Sequence, residues 1–137
     1  MHARELELPT VRLATLRRLL ASSITPLVFH RETPLSIIEE ALWEVPLAKV
    51  VLVDPEGALC GVLTGVDLPL VRDHAATAAS AMSERIVFLA PEHDVETAIA
   101  TLKFEHAEYV VVALAGDLVG VLSRADLERA MNKRRAA

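Results

Sequence analysis

Gly116-Asp117-Leu118-Val119-Gly120-Val121-Leu122-Ser123-Arg124-Ala125-Asp126-Leu127 is the stretch that decides the fold. It consists of a turn glycine, a short apolar strand, a hydroxyl residue and, three positions later, an acid at the start of a helix. The stretch from Gly57 to Leu68, GALCGVLTGVDL, has the same pattern 59 residues earlier. Thr64 and Asp67 therefore correspond to Ser123 and Asp126, with no insertion between the two copies.

A single copy of this pattern would indicate only a helix capping box, because a hydroxyl followed three residues later by an acid is typical of helix starts. Two copies in register resemble the end of a cystathionine-β-synthase (CBS) domain, a family whose domains usually occur in tandem. The resemblance covers roughly residues 20–131. It implies an α+β fold in which two CBS repeats, each with the order strand, helix, strand, strand, helix, pack sheet to sheet with pseudo-twofold symmetry.

Hydrophobic periodicity predicts the same order from the residues alone. Short apolar runs at 27–29, 50–53, 59–63, 86–89, 109–114 and 118–122 predict strands, and apolar faces of helical spacing lie between them. Thr33-Pro34 predicts a helix start with Thr33 as the N-cap. We divide the chain into a leading segment and helix (1–20), a first repeat (21–75), a second repeat (76–132) and a basic tail (133–137).

The repeated hydroxyl and carboxylate have two possible roles. As helix caps, they satisfy free N–H groups and place negative charge at the positive helix end. As a binding site, the carboxylate accepts hydrogen bonds from ribose hydroxyls, and the hydroxyl and free amides contact phosphate. Both roles can coexist.

The resemblance implies a ligand class and a set of binding residues. CBS pairs commonly bind adenosine derivatives, such as AMP, ADP, ATP, S-adenosylmethionine or cyclic dinucleotides, in two clefts between the repeats. These are regulatory ligands, and no cofactor is required. Carried over to this sequence, one cleft would combine Ser123 and Asp126 with Leu27, Val28, Leu47, Ala48 and Lys49. The other would combine Thr64 and Asp67 with Ile86, Val87, His106, Ala107 and Glu108.

Charge distinguishes the two predicted clefts. Arg124 follows Ser123, whereas Gly65 follows Thr64, and at a spacing of 59 Lys49 corresponds to Glu108. Two cations therefore surround the predicted Asp126 cleft, and a carboxylate takes the corresponding place in the other. We expect the Asp126 cleft to be the better phosphate site.

Composition limits the function classes. A net charge of −5 argues against a general binder of nucleic acid or anionic membranes. No apolar run has the length of a membrane helix, and no signal-peptide pattern opens the chain, so we expect a cytoplasmic protein. No nucleophile–base pair and no metal-ligand spacing is present, which predicts no catalytic residues, no metal site and no enzyme activity.

Two functional hypotheses follow. The chain is either an adenine-nucleotide sensor that controls an unidentified partner protein, or a structural module that only dimerises and binds no ligand. Under both we expect a homodimer, since CBS pairs usually form a disc of two modules. The predicted contacts are the helix with Ile38 and Leu42 and the helix with Ile99 and Leu102.

Overall fold

The computed structural model describes residues 14–70 and 76–136, of which 69–70 and 134–136 are described by their backbone alone. These residues form four α-helices, six strands and two short 3₁₀ segments. The elements are α1 (Leu16–Leu20), β1 (Leu27–His30), α2 (Leu35–Glu44), β2 (Val50–Val53), β3 (Leu59–Leu63), 3₁₀ segments Gly65–Leu70 and Ala78–Ser80, β4 (Ile86–Leu89), α3 (Val95–Glu105), β5 (Tyr109–Leu114), β6 (Asp117–Ser123) and α4 (Arg124–Ala136).

The strands form two three-stranded sheets with the same topology, in the orders β1-β2-β3 and β4-β5-β6. In each sheet the first strand runs parallel to the second, because a helix connects them, and the second pairs antiparallel with the third across a hairpin. The predicted fold class, an α+β pair of repeats, is confirmed.

The apolar core has three layers, one between the two sheets and one on the outer face of each sheet. Val51, Val62, Val111 and Val121 meet between the sheets, and all four are buried. The outer face of the first sheet packs against α2, and the outer face of the second packs against α1, α3 and α4. A repeat of this size buries too little apolar surface to be stable alone, so the layer between the sheets joins both into one unit.

The register of the two sheets corrects the sequence alignment by one residue. Leu52 lies opposite Gly61 in the first sheet, and Val112 lies opposite Gly120 in the second. When the two glycines are matched, the middle strands therefore correspond at a spacing of 60, not 59, and the first strands that pair with them follow. The third strands keep the spacing of 59. The difference is absorbed at the hairpin ends, since residues 54–58 lie between the paired residues Val53 and Leu59, whereas only residues 114–117 lie between the equivalent pair Ala113 and Leu118.

This shift changes which residues are equivalent. Lys49, which precedes β2, corresponds to Tyr109 and not to Glu108. Val28 corresponds to Phe88 and not to Val87. Val28 and Phe88 are each 52% exposed, and their partners Val51 and Val111 belong to the layer between the sheets. The edges β1 and β4 are thus where this layer is open.

The leading segment of each repeat packs on the other repeat. Leu16 donates its N–H to the His93 carbonyl (2.9 Å), and Val95 donates to the Ala14 carbonyl (3.0 Å). The segment that leads into the second repeat is bound to the first in the same way, with Leu35 donating to Ala76 (2.9 Å). The two exchanges follow the pseudo-twofold symmetry of the module.

Two glycines allow this close packing. A Cβ atom on Gly120 would lie 2.6 Å from Leu20 Cδ2, and one on Gly61 would lie 2.6 Å from Met82 Sδ. Any larger residue at either position would collide with the crossing segment.

Several local predictions are wrong. Thr33 does not cap α2, because Pro34 is still extended and the first helical N–H is bound by the Ala76 carbonyl. The helix predicted from Gly65 to Asp73 begins as a 3₁₀ segment, since Pro69 removes a backbone donor. Its predicted end, at residues 71–73, lies outside the described residues, as do residues 1–13 of the leading segment.

The two helices predicted to form the dimer contacts carry both buried and exposed apolar residues. Ile38, Leu42 and Leu102 are buried in the outer layers of the module itself, so they are unavailable to a second copy. The exposed apolar residues of these helices are Ile37 and Trp43 on α2 and Phe104 on α3.

Candidate functional site

The repeated hydroxyl and carboxylate lie where the last strand of each repeat meets the following helical segment. Ser123 donates its N–H to Asp126 Oδ2 (2.9 Å), and the Asp126 N–H donates to Ser123 Oγ (3.1 Å). In the first repeat, the N–H and hydroxyl of Thr64 both donate to Asp67 Oδ2 (2.9 and 3.1 Å). Both carboxylates therefore act as caps, and each is partly buried between the repeats.

Asp126 has two cationic partners. Lys49 Nζ lies 2.9 Å from Oδ2, and the Arg129 guanidinium contacts Oδ1. Burial alone would raise the pKa of Asp126, but the Ser123 amide and the Lys49 ammonium outweigh it, so its pKa lies below the ordinary aspartate value. Asp126 is thus a charged, largely compensated carboxylate. A ligand that takes its oxygens must offer the two cations another anion.

The cavity beside Asp126 has a volume of about 480 Å³. Its charged lining is Lys49, Asp126 and Arg129, which carry a net positive charge. Ser22 and Ser23, from the segment after α1, add two hydroxyls, and Leu47 adds an apolar wall. This combination can hold a phosphate near the cations while the carboxylate holds hydroxyl groups.

The cavity beside Asp67 is larger, about 920 Å³, and differs in character. Among residues 14–70 and 76–136, the acids in its lining are Glu39 and Asp67, and the one cation is Lys49, whose ammonium is paired with Asp126. Most of the remaining lining is apolar, and Tyr109 and Ser123 of the second repeat close its inner side. The apolar group consists of Leu42, Trp43, Pro46, Leu47, Ala48, Val66 and Leu68.

Leu47 and Lys49 line both cavities, so the two adjoin at this segment. Tyr109 also lies near the junction. Burial raises the pKa of Tyr109, and although a hydrogen bond with Thr64 opposes the rise, the charges of Asp67, Glu108 and Asp126 add to it.

The structure brings together part of each predicted residue set. Leu47 and Lys49 lie in the Asp126 cavity as predicted, whereas Ala48 lines the Asp67 cavity. Val28 stands on the open inner face of β1, and the N–H of Leu27 donates to the Lys49 carbonyl (2.9 Å).

The second predicted set is more scattered. Ala107, Glu108 and Arg124 line a separate small cavity of about 380 Å³, and Glu108 accepts a hydrogen bond from Ser83. Arg124 Nε lies 3.3 Å from Glu128 Oε2. Of the predicted charge contrasts, Arg124 against Gly65 and Lys49 against Glu108, the cavities therefore contain only part: Lys49 lines the Asp126 cavity, but Arg124 does not, and Glu108 does not line the Asp67 cavity.

Three other predicted residues lie outside the Asp67 cavity. Ile86 packs against the layer between the sheets. Val87 packs in the outer layer of the second sheet. His106 ends α3 in the left-handed conformation (φ 55°), and its carbonyl accepts from Arg85 Nε (2.9 Å).

Sequence reasoning missed Arg129 and Trp43. Arg129 is the second cation at Asp126. It follows Asp126 by three residues on a predicted helix, and this spacing indicates that the two side chains are neighbours. Trp43, at the end of α2, is 78% exposed and lines the Asp67 cavity. Within residues 14–70 and 76–136, no cluster of three His, Cys, Asp or Glu side chains could hold a metal ion. In that same part of the chain, no helix has the length and apolarity needed to cross a membrane.

Comparisons with known proteins agree with this architecture. Residues 78–133 match the model of the CBS domain family. A comparison of the sequence with curated proteins finds no match. Among solved structures, a CBS-domain-containing protein from Agrobacterium tumefaciens has a TM-score of 0.67 at 19% identity, over 88% of this chain and 96% of that one.

Two further similar structures contain ligands. A CBS domain protein from Pyrobaculum aerophilum, solved with AMP, has a TM-score of 0.67 at 21% identity, over 90% of this chain and 99% of that one. A CBS domain pair solved with 5′-methylthioadenosine and S-adenosyl-L-methionine has a TM-score of 0.69 at 17% identity, also over 90% and 99%. At these identities the likeness concerns the fold.

Proposed function

Because residues 78–133 belong to the CBS domain family and the described chain folds as a tandem CBS pair, we propose that this protein is a regulatory module that binds an adenosine nucleotide between its repeats. The observation that carries the proposal is the Asp126 site. There a half-buried carboxylate and two cations adjoin a cavity formed by both repeats.

Ligand binding at this site is an exchange of partners. The ribose hydroxyls of the nucleotide donate to Asp126, and its phosphate takes over Lys49 and Arg129. Before the ligand binds, the ion pairs of Asp126 with Lys49 and Arg129 thus keep both cations in the positions where they would contact the phosphate, and they keep the carboxylate charged. This exchange favours AMP, ADP or ATP over adenosine, since a ligand without phosphate would leave the two cations uncompensated.

Support for the ligand class comes from the related structures. The Pyrobaculum aerophilum protein was solved with AMP, and the other ligand-bound pair was solved with two adenosine compounds. Leu47 and Val28 offer apolar surface for a base beside the polar groups.

Isothermal titration and thermal shift with AMP, ADP and ATP test the proposal, with GMP, CMP and inorganic phosphate as controls. A ligand at 100 times its dissociation constant should stabilise the fold by about 2.7 kcal/mol. Asp126→Asn keeps an acceptor for the Ser123 amide but loses the charge-assisted bonds to ribose, so affinity should fall about tenfold. Asp117→Asn, at an exposed position in the β5–β6 turn, is the matched control and should change nothing.

Three results would contradict the proposal. Equal stabilisation by every anion would indicate a nonspecific anion site. An Asp126→Asn variant that unfolds as readily as it loses the ligand would leave the carboxylate with its capping role only. No response to any adenosine compound would favour the alternative, a structural module without ligand. The exposed apolar residues Ile37, Trp43 and Phe104 are the observation in favour of that alternative.

Regulation of a partner protein and homodimerisation belong to the same proposal. CBS pairs are generally regulatory modules rather than enzymes, and a ligand that contacts both repeats shifts their arrangement by as much as its affinity differs between the two states. We propose that the protein is cytoplasmic. We also propose that its dimer contacts lie on the exposed faces of α2 and α3, since the other faces of these helices are buried within the module.

A further inference from the structure

The outer surface of α2 and that of the α3–α4 pair both expose apolar side chains, and they are opposite in charge. We propose that two copies of the chain associate head to tail through these surfaces, with α2 of each copy against α3 and α4 of the other. The same contact then occurs twice in a closed dimer. This inference rests on the homodimer of the proposed function and adds its orientation.

The first surface is an apolar patch on α2 and the segment that packs beside it. Trp43 and Val66 line one cavity and are 78% and 80% exposed. Ile37, earlier on α2, is 51% exposed, so apolar surface continues along the outward face of the helix. A contiguous apolar patch on a folded protein indicates an interaction surface. The patch therefore suits a partner with an apolar groove.

The second surface is a groove of that kind between α3 and α4. It has a volume of about 510 Å³, and its apolar lining consists of Ile99, Ala100 and Met131. Ile99 and Met131 also pack against the outer layer of the second sheet, so the floor of the groove is fixed. Phe104, one turn after Ala100, is 82% exposed and extends the apolar surface. A groove of this size admits the indole of a second copy.

Charge decides the orientation. The sequence of α2 carries three acids and no basic residue, whereas α3 and α4 together carry six basic residues and four acids. Two of those four acids, Asp126 and Glu128, are paired with basic residues of α4 itself. Like charges that face each other across an interface weaken it. A head-to-head dimer would place α2 against α2, and a head-to-tail dimer places its acids against a positive surface.

The pseudo-symmetry of the repeats supplies the matching geometry. The buried residues of the two helices are equivalent at a spacing of 60: Leu35, Ile38 and Leu42 on α2, and Val95, Ala98 and Leu102 on α3. Both helices therefore present the same side outward, and Trp43 corresponds to Lys103. In the head-to-tail contact these equivalent positions approach each other. Lys103 of the second copy then lies near the Trp43 ring, a cation beside an indole face, and near Glu44.

Fluorescence tests whether the patch is covered, because Trp43 is the single tryptophan of the chain. Dilution should shift its emission to longer wavelength at the concentrations where sedimentation shows the dimer dissociating. Trp43→Ser should raise the dissociation constant of the dimer about thirtyfold or more, the loss expected for a buried aromatic anchor. An emission maximum that stays constant through dissociation, or a dimer unaffected by Trp43→Ser, would overturn the proposal.

Cross-linking distinguishes the two orientations. In a Cys60→Ser background, Glu40→Cys and Ala100→Cys place single thiols at equivalent, exposed positions of α2 and α3. Urea unfolding verifies that each variant is folded. In a head-to-tail dimer, a short bismaleimide should join the copies only after the two variants have been mixed and have exchanged subunits. Cross-links within either variant alone, or a dimer that forms none at all, would contradict the head-to-tail arrangement.

Charge reversal provides an independent test by sedimentation. Glu44→Lys should weaken the dimer about tenfold, because the contact occurs twice, and Lys103→Glu in the same chain should restore it. Glu56→Lys makes the same charge change in the exposed hairpin turn of the first repeat and should have no effect. In a head-to-head dimer, Glu44→Lys only exchanges one pair of like charges for another. A Glu44→Lys variant that dimerises as well as Glu56→Lys would therefore refute the orientation.

The outcomes separate this inference from the proposed function. A dimer that cross-links within one variant refutes the orientation alone and leaves the nucleotide-binding module in place. A monomer at micromolar concentration refutes both the homodimer and its orientation. Nucleotide binding is decided by the titrations with AMP, ADP and ATP, whichever way the copies associate.

Discussion

The ion pair between Lys49 and Asp126 should contribute measurably to folding before any ligand is present. Its atoms are 2.9 Å apart, and the two side chains are only 22% and 20% exposed. At that distance, unit charges attract by about 6 kcal/mol with an effective dielectric constant of about 20. Desolvation and side-chain ordering offset most of this, so we expect a coupling free energy of about 1.5–3 kcal/mol, the range for hydrogen bonds to charged groups.

A double-mutant cycle measures this coupling. Urea unfolding of Lys49→Met, Asp126→Asn and the double variant gives the free energy by which the two substitutions fail to add. Arg17 and Glu92 provide the control pair, because they are closer (2.6 Å) but their side chains are 56% and 64% exposed. Burial, not distance, should decide, so the control coupling should be clearly smaller. A control coupling equal to or larger than that of Lys49 and Asp126 would refute the reasoning.

Three further predictions concern pH, packing and assembly. The pKa of Asp126 is lower in the folded protein than in the unfolded chain. Its contribution to stability is therefore present above the ordinary aspartate pKa of about 3.9 and is lost as pH falls through the folded pKa. The Asp126→Asn variant should lose less stability on acidification than the wild type, as measured by urea unfolding at pH 7 and at acid pH. Gly120→Ala should destabilise the fold by about 1–3 kcal/mol, because its Cβ would meet Leu20 at 2.6 Å, whereas Gly65→Ala, with its nearest contact at 3.7 Å, should be nearly neutral in the same assay. Sedimentation should give about twice the chain mass of 14.9 kDa at micromolar concentration, and a monomer there would contradict the dimer.

The doubled motif made the fold predictable. The same junction of strand and helix is marked twice, by Thr64 and Asp67 and by Ser123 and Asp126. The strands of each repeat are continuous apolar runs, which allow few other interpretations. The family resemblance also placed Lys49 and Asp126 in one cleft, although their ion pair was not predicted.

The true counterpart of Lys49, which is Tyr109 and not Glu108, could not be obtained in this way. Both hairpins keep a turn glycine with φ of 85°, at Gly57 and Gly116, so an alignment on the glycines runs through without a gap. The one-residue difference lies just before them, and it becomes visible only in the pairing of the strands. The comparison of charge between Lys49 and Glu108 therefore used residues that are not equivalent, because the turn absorbs a difference of one residue.

What covers the apolar face of a helix was a second limit of the sequence. Ile38 is fully buried and its neighbour Ile37 is half-exposed, as the helical spacing of the apolar residues requires. That spacing defines the face that is covered, but it does not say whether the module's own sheet or a second copy covers it.

The exchange of leading segments has a consequence for biosynthesis. Ala14 and Leu16 reach their hydrogen-bond partners only at Val95 and His93, nearly eighty residues later in the chain. As the chain leaves the ribosome, α1 therefore has no docking surface until α3 has been made. The first sheet likewise lacks the partner for its α2 start until Ala76 has emerged. The first repeat and α1 therefore wait for later residues, and a nascent chain stopped between the repeats would expose apolar surface of the kind that chaperones bind.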